Sequence, residues 1–501
     1  MTLPALDGIP EKLQALLTYD ASSPLIFSSG LFLFLFAGFM LVYSMFRRAP
    51  MARIVYVILF SLYFYYKSSG IYFLLLIFAA TSDYWIAKGI HAARSTRAKR
   101  WLVVLSVAVN LGMLAYFKYT NFLIDIANQM FGQGFMQFQN IFLPVGISFF
   151  VFQSMSYTID IYRGQLKPLD NWCDYLFYLS FFPQLVAGPI VRARDFIPQI
   201  RQNPIVVTRE MFGTGVFLIL TGLFKKAIIS DYISLNFVDR IFDEPLLYSG
   251  FECLMGIYGY ALQIYCDFSG YSDMAIGIAL LLGFRFPKNF DAPYKSATIT
   301  EFWRRWHISL STWLRDYLYI SLGGNRKGKL RTYGNLLITM LLGGLWHGAA
   351  VRFILWGALH GAALALHKLW LSVVPGAKVS GYQMHPLSRL AGILVTFHLV
   401  CFGWLLFRAD SMRTVQLMLH QITDNFHLQL LPQMLAGYGG VFALVGLGYL
   451  LHMLPGRADA AARRAVVASP FWVQVLLLAS VAWGVMQIQS SSIQPFIYFQ
   501  F

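Results

Sequence analysis

The sequence predicts an all-α integral membrane protein on three observations. Of its 501 residues 57% are hydrophobic, only 12% are charged, and the apolar residues fall in runs of spanning length. The basic residues that give the net charge of +16 sit in short clusters between these runs. That is the pattern of loops beside an anionic leaflet, and it argues against a nucleic-acid partner. The four cysteines, Cys173, Cys253, Cys266 and Cys401, have neither metal-ligand spacing nor an evident disulfide pairing.

Residues 1–23 lack the basic and apolar regions of a cleaved signal peptide and read as an interfacial segment. Apolar runs follow at 25–45, 55–66, 71–90 and 101–117. Arg47, Arg48 and Arg53 flank one intervening loop, and Arg94, Arg97, Lys99 and Arg100 fill another. The positive-inside rule sends both loops to the cytoplasm and the N-terminus to the periplasm. Further runs lie at 142–161, 175–191, 211–230 and 254–284. Pro183, Gly188 and Pro189 interrupt one and Gly270 another, so bent or re-entrant passes are expected there.

Thr298, followed three residues later by Glu301, is a capping-box signal. From 302 to 320 tryptophans and arginines alternate with leucines, which predicts a helix lying at, or dipping into, the cytoplasmic interface. Asn325, Arg326, Lys327, Lys329 and Arg331 mark a cytoplasmic turn. Spans resume at 336–346, 353–370, 390–407 and 438–453, and a basic linker at 457–464 precedes a last span at 471–486. The linker places the tail outside. The chain thus divides into the segment 1–23, a core at 24–430, C-terminal spans at 431–486 and a tail at 487–501.

Few residues in such a chain carry chemistry. His347 closes a run of apolar and small residues, and an ionisable group at membrane depth is costly unless paired or facing a cavity. A neutral imidazole accepts and returns a proton near pH 7, so His347 is the first candidate for a general base. His307, in the charged and tryptophan-rich segment, is the second. Packing histidines are the competing reading for both. Arg304, Arg305, Arg326 and Lys327 gather on the cytoplasmic side as candidates for binding a polyanionic donor near the two histidines, against a reading as headgroup anchors. Asp267, Ser269, Ser272 and Asp273 form a polar knot in an apolar run. They line a tunnel, or serve structurally by pairing with one of those arginines. His360, His367 and His398 read as packing or interface residues. No phosphate loop, zinc signature or nucleophile elbow occurs in the sequence.

Five ordered stretches, LPVGISFFVFQSMSYTIDIYRG (143–164), FPQLVAGPI (182–190), YCDFSGYSDMAIG (265–277), EFWRRWHISLSTWLRDYLYISLGGNR (301–326) and LLGGLWHGA (341–349), resemble the membrane-bound O-acyltransferase (MBOAT) family, on its bacterial alginate O-acetylation branch. The resemblance runs from about residue 24 to about residue 410. It implies an MBOAT fold, with about 11–12 transmembrane helices plus re-entrant and interfacial helices around a central tunnel. The family's WHG histidine falls on His347 as the catalytic residue, and the RWHIS histidine falls on His307. No cofactor is bound permanently and no metal is implied; acetyl-CoA is the implied donor. The final acceptor is a cell-envelope polysaccharide, whether alginate, cellulose, another exopolysaccharide or peptidoglycan. The implied setting is the bacterial inner membrane, with a periplasmic SGNH-type or esterase-like acetyltransferase as partner.

In the tail, Phe496, Tyr498 and Phe501 stand in the order FxYxxF. This resembles the C-terminal motif of the small subunit that accompanies teichoic-acid D-alanylation. Tyr498 is then expected to carry the acyl group, with Phe496 and Phe501 as apolar anchors; an aromatic belt at the outer interface is the plainer alternative. A transporter built around buried His and Asp residues is the reading from another class. A scaffold without catalysis would tolerate the loss of His347.

Overall fold

The computed structural model describes residues 16–20, 24–374 and 384–488, and every regular element among them is helical. The chain forms two compact units that meet in sequence at Val206 and Val207. This boundary falls inside the stretch 24–430 that the sequence reads as one core. The 1–23 segment lies almost wholly outside the described residues, as does the 489–501 tail.

The first unit contains α1 (Gly30–Met45), α2 (Pro50–Ser69), α3 (Phe73–Ala92), α4 (Thr96–Leu114), α5 (Thr120–Phe131), α6 (Ile147–Tyr162), α7 (Trp172–Ser180) and α8 (Ala193–Ile200). Its polar centre is Asp83 on α3, fully buried. Asn110 Nδ2 of α4 and Ser154 Oγ of α6 donate to it at 2.6 and 2.5 Å, which offsets the cost of burying a carboxyl group. After α7 the chain breaks at Phe181, makes a single helical turn at Phe182–Leu185 with Pro183 at its start, and breaks again toward Gly188, as expected for a re-entrant segment; residues 181–193 are all buried. Gln184 Nε2 donates to the Tyr178 carbonyl at 2.5 Å, and Tyr178 Oη donates to the Val191 carbonyl at 3.0 Å. Protein thus satisfies the backbone that the break leaves open.

The second unit begins with α9 (Arg209–Leu223), whose helical path continues to Asp243. It faces α10 (Gly250–Leu281), which starts in a complete capping box of Ser249 and Glu252. Gly270 does not interrupt α10, contrary to expectation; the helix runs unbroken for 32 residues. Its role is contact. A methyl on Gly222 would stand 2.6 Å from the Gly270 carbonyl oxygen, and one on Gly270 would stand 2.8 Å from that of Gly222. Gly215 and Gly277 repeat the arrangement at 2.9 and 2.6 Å. The pairs are two helical turns apart on both helices, so α9 and α10 run antiparallel with their backbones in touch.

There follow α11 (Ile299–Arg305), α12 (Ile308–Trp313), α13 (Lys329–His347), α14 (Val351–Val373), α15 (Pro386–Arg408), α16 (Met412–Asp424), α17 (Leu431–Gly437), α18 (Gly439–Met453), α19 (Gly456–Ala468) and α20 (Phe471–Ile488). The stretch 302–320, expected as one interfacial helix, is instead broken at Trp306 and His307, and Trp306 and Trp313 are buried. The C-terminal helices pack within the second unit. Arg209 donates to the carbonyls of Val467 and Ala468 at the end of α19, and a methyl on Gly213 would stand 2.7 Å from the Val467 Cα.

Among the described residues five helical stretches are long and apolar enough to cross a membrane, Pro50–Ala92, Thr96–Phe131, Arg209–Asp243, Val351–Val373 and Pro386–Arg408; the number is up to seven if the bent pairs α17/α18 (99°) and α19/α20 (119°) each count as one span. The sequence reading also counted the runs 25–45, 142–161 and 175–191, together with α10 and α13. Each of the last two turns polar residues into protein, Gln263, Asp267, Ser269 and Ser272 on α10 and Thr332, Asn335 and Thr339 on α13.

If the α9–α10 crossing depends on backbone contact, Gly222→Leu forces the helices apart at a cost of about 1–3 kcal/mol. We expect a lowered thermal midpoint and less folded protein in detergent. Gly38→Leu, with nothing within 4 Å of a methyl at that position, serves as the control and leaves both unchanged.

Candidate active site

His347 is the last residue of α13, and packing fixes its place. A side chain at Gly344 would run into the Phe353 carbonyl oxygen and one at Gly357 into that of Met340, so α13 and α14 also meet backbone to backbone. A side chain at Gly348 would overlap the Phe353 ring. The tight hairpin sets Trp356 of α14 against His347, with ring centroids 5.0 Å apart at 80°. Phe407 of α15 lies at 5.2 Å and Trp346 at 4.9 Å. The imidazole is 4% exposed.

His307 lies against the same Trp346 ring. It is fully buried and joins α11 to α12 with φ +42°, a left-handed conformation that costs a non-glycine residue about 1–2 kcal/mol. Asn289 holds it there. The Asn289 backbone carbonyl accepts from Ile308 N–H at 2.8 Å. Its side-chain oxygen accepts from His307 Nδ1 at 3.1 Å, Ser309 N–H at 3.2 Å and Ser309 Oγ at 2.9 Å. Asn289 Nδ2 donates to Ser272 Oγ at 3.0 Å. Phe268 packs edge-on at 4.6 Å. Burial lowers the imidazole to about 3, so the ring is neutral at physiological pH. The Trp346 indole that packs on His347 at 4.9 Å also lies 6.4 Å from His307, so both histidines lie against one indole.

The polar knot divides by helix face. Asp267 pairs with Lys226 at 2.5 Å and Asp273 with Lys225 at 2.7 Å, while Asp231 meets Lys226 at 2.8 Å. The partners are lysines of the helix that continues α9, not the arginines named from sequence. Ser272 reaches His307 through Asn289, and Ser269 is buried nearby. Two lysines in the apolar run 211–230 were the available signal. For Asn289 there was none.

The basic candidates separate. Arg305 is engaged by Glu301 at 2.9 Å and by Asp291 at 3.5 Å, and it also donates to the Asp291 carbonyl at 3.0 Å. Burial disfavours the Asp291 carboxylate, but the hydrogen bond from Lys288 and the charges of Lys288 and Arg305 outweigh it and hold the group below its usual range. Arg304 is exposed on α11. Arg326 and Lys327 are exposed just before α13, about 27 Å along its axis from His347 at 1.5 Å per residue. They therefore stand at the far end of α13 from His347, not beside it as the sequence reading expected.

Of the remaining histidines, His360 is buried against Trp356 (4.6 Å) and Trp303 (5.3 Å). His367 Nδ1 bonds Thr300 Oγ1 at 2.7 Å, and His398 Nε2 bonds Tyr258 Oη at 2.9 Å. Thr300 thus meets His367 and Trp303 meets His360, so α11 runs beside α14 from the His367 level to that of His360. Thr298 caps α11 by accepting from Glu301 N–H at 3.1 Å, and Glu301 reaches back to Ala297 N–H at 3.0 Å. The capping signal was thus half of a box. Phe496, Tyr498 and Phe501 lie outside the described residues.

A helical membrane protein with two buried histidines against one tryptophan defines a class. The membrane-bound O-acyltransferase family model matches residues 162–402. The chain is 38% identical over 501 residues, 95% of its length and the whole of the relative, to the "Probable alginate O-acetylase AlgI" of Pseudomonas putida. It is 43% identical over 395 residues to the protein of the same name from Pseudomonas aeruginosa, covering 78% of this chain and 73% of that one. It is 35% identical over 420 residues to the "Peptidoglycan O-acetyltransferase" of Helicobacter pylori, covering 78% of each. The chain belongs to the membrane-bound O-acyltransferase family, as a multi-pass membrane O-acetyltransferase.

The two arginines of α11 give opposite expectations. Arg305→Ala strips Glu301 and Asp291 of their partner and lowers the thermal midpoint, whereas Arg304→Glu leaves it unchanged and raises the apparent KM for a polyanionic donor. Differential scanning fluorimetry and a donor titration measure the two effects.

Proposed function

We propose that this enzyme moves an acetyl group from a cytoplasmic thioester, acetyl-CoA, across the bacterial inner membrane for O-acetylation of a cell-envelope polysaccharide. The observation that carries the reading is the pair of histidines flanking Trp346. The names of the relatives, alginate O-acetylase and peptidoglycan O-acetyltransferase, support the acceptor class. The exposed Arg304, Arg326 and Lys327 suit the phosphates of the donor, whose thioester is carried at the end of a long flexible arm. Arg305, held by two carboxylates, acts as a strut.

Chemically the step is acyl transfer to a hydroxyl. His347 removes the proton of the attacking hydroxyl as general base, with His307 orienting the substrate or sharing the proton. The new O–C bond forms as the C–S bond breaks, and the proton ends on the departing thiolate. We assign the hydroxyl to Tyr498, with Phe496 and Phe501 as anchors of the tail. A phenol of pKa about 10 needs such a base, and the aryl ester it forms keeps a better leaving group than a sugar ester does. A periplasmic SGNH-type or esterase-like acetyltransferase would then collect the acetyl group. This scheme puts both chain ends outside, with no cofactor bound permanently.

We expect His347→Ala to lower acetyl transfer by about 10²–10⁴-fold. Tyr498→Phe, which deletes one oxygen, should abolish polymer acetylation at normal protein abundance. Measuring polymer-bound acetate in cells carrying each variant tests both. Normal acetylation in His347→Ala removes the base, and normal acetylation in Tyr498→Phe removes the relay.

A further inference from the structure

His307 is a histidine whose proton can be located. Ser309 N–H can only donate, and it points at the Asn289 side-chain atom that also faces His307 Nδ1. That atom must therefore be the amide oxygen, and the opposite end, aimed at Ser272 Oγ, must be the NH₂. An amide oxygen only accepts, so the 3.1 Å contact requires a proton on His307 Nδ1. In the neutral ring Nε2 then carries the lone pair.

Nothing else at the site is so over-determined. Asn289 accepts four hydrogen bonds from residues 307–309, through its own carbonyl and its side-chain oxygen. It holds a non-glycine residue at φ +42° and leans on Ser272 of α10. Strain retained at this level is characteristic of functional sites. A base oriented by a third group is also the general arrangement for activating a hydroxyl.

We propose that Asn289 is a positioning residue that holds His307 in the Nδ1–H tautomer, leaving the bare Nε2 to share the proton that His347 takes from the hydroxyl on its way to the thiolate. His307 is then a proton carrier and more than a substrate-orienting group. This rests on the acyl-transfer reading above and deepens it. Replacing Asn289 by leucine keeps the volume and removes the acceptor. Replacing it by aspartate keeps an acceptor toward Nδ1, and its second oxygen can take the Ser272 hydroxyl proton. Ser272→Ala removes only the outer support.

The test has two parts, carried out on the full-length protein in detergent or nanodiscs. In a donor-dependent acyl-transfer assay, Asn289→Leu should lower kcat by about 10²-fold or more with KM for the donor unchanged. Asn289→Asp should recover most of the rate, and Ser272→Ala should lose much less than Asn289→Leu. A folded Asn289→Leu protein with normal kcat, or an aspartate variant as slow as the leucine one, overturns the inference. Independently of activity, ¹⁵N NMR of protein labelled at the histidine ring nitrogens, assigned with His307→Gln, should show His307 protonated at Nδ1 and bare at Nε2. The reverse tautomer in an active protein overturns the inference. The expected tautomer in a protein that transfers no acyl group from any thioester overturns the acyl-transfer reading and leaves the tautomer standing.

Discussion

The second unit depends on helices that touch through glycine. Between apolar helices in a bilayer, lipid tails compete with side chains on equal terms, so close packing rather than the hydrophobic effect holds the pair. Gly222 with Gly270, and Gly215 with Gly277, bring the backbones of α9 and α10 together. Gly344 and Gly357 do the same for α13 and α14. The first crossing lets Lys225 and Lys226 reach Asp273 and Asp267. An unpaired charge there would be far more costly. The second sets Trp356 against His347 and leaves it at the end of a helix, where the chain can turn away.

The two histidines sit in unlike surroundings at one place. Indole and phenyl rings wall His347, an environment that excludes water and strengthens any charge developing nearby. His307 is gripped from one side by an amide. The left-handed turn that presents it costs about 1–2 kcal/mol, and the hydrogen bonds that Asn289 accepts, each worth about 0.5–1.5 kcal/mol, offset that cost. Arg326 and Lys327 stand at the other end of α13 from His347, whereas Arg304 lies on α11 three residues before His307.

Much of this was legible in the sequence because it depends on composition and local signals. Hydropathy gave the helical membrane class, Thr298 gave the start of α11, and the buried setting of His347 followed from the run it ends. What was hidden depends on distant pairings. Gly270 reads as a helix breaker in isolation and becomes a contact residue only when Gly222 lies across from it. The break at His307 comes from a positive φ that no residue type announces. Asn289 looks like an ordinary loop asparagine until residues 307–309 close on it. Arg326 and Lys327 seemed close to His347 because sequence distance ignores the length of the helix between them.

The central claim is that His307 and His347, both packed against Trp346, act on the same proton transfer. A double-mutant comparison of kcat for acyl transfer from the thioester tests it most directly, using His307→Ala, His347→Ala and the double variant, each checked for folding. Residues that act as a unit are strongly non-additive, so the account predicts that the double variant is no slower than the slower single one. Losses that multiply would place the two histidines in separate steps and contradict it.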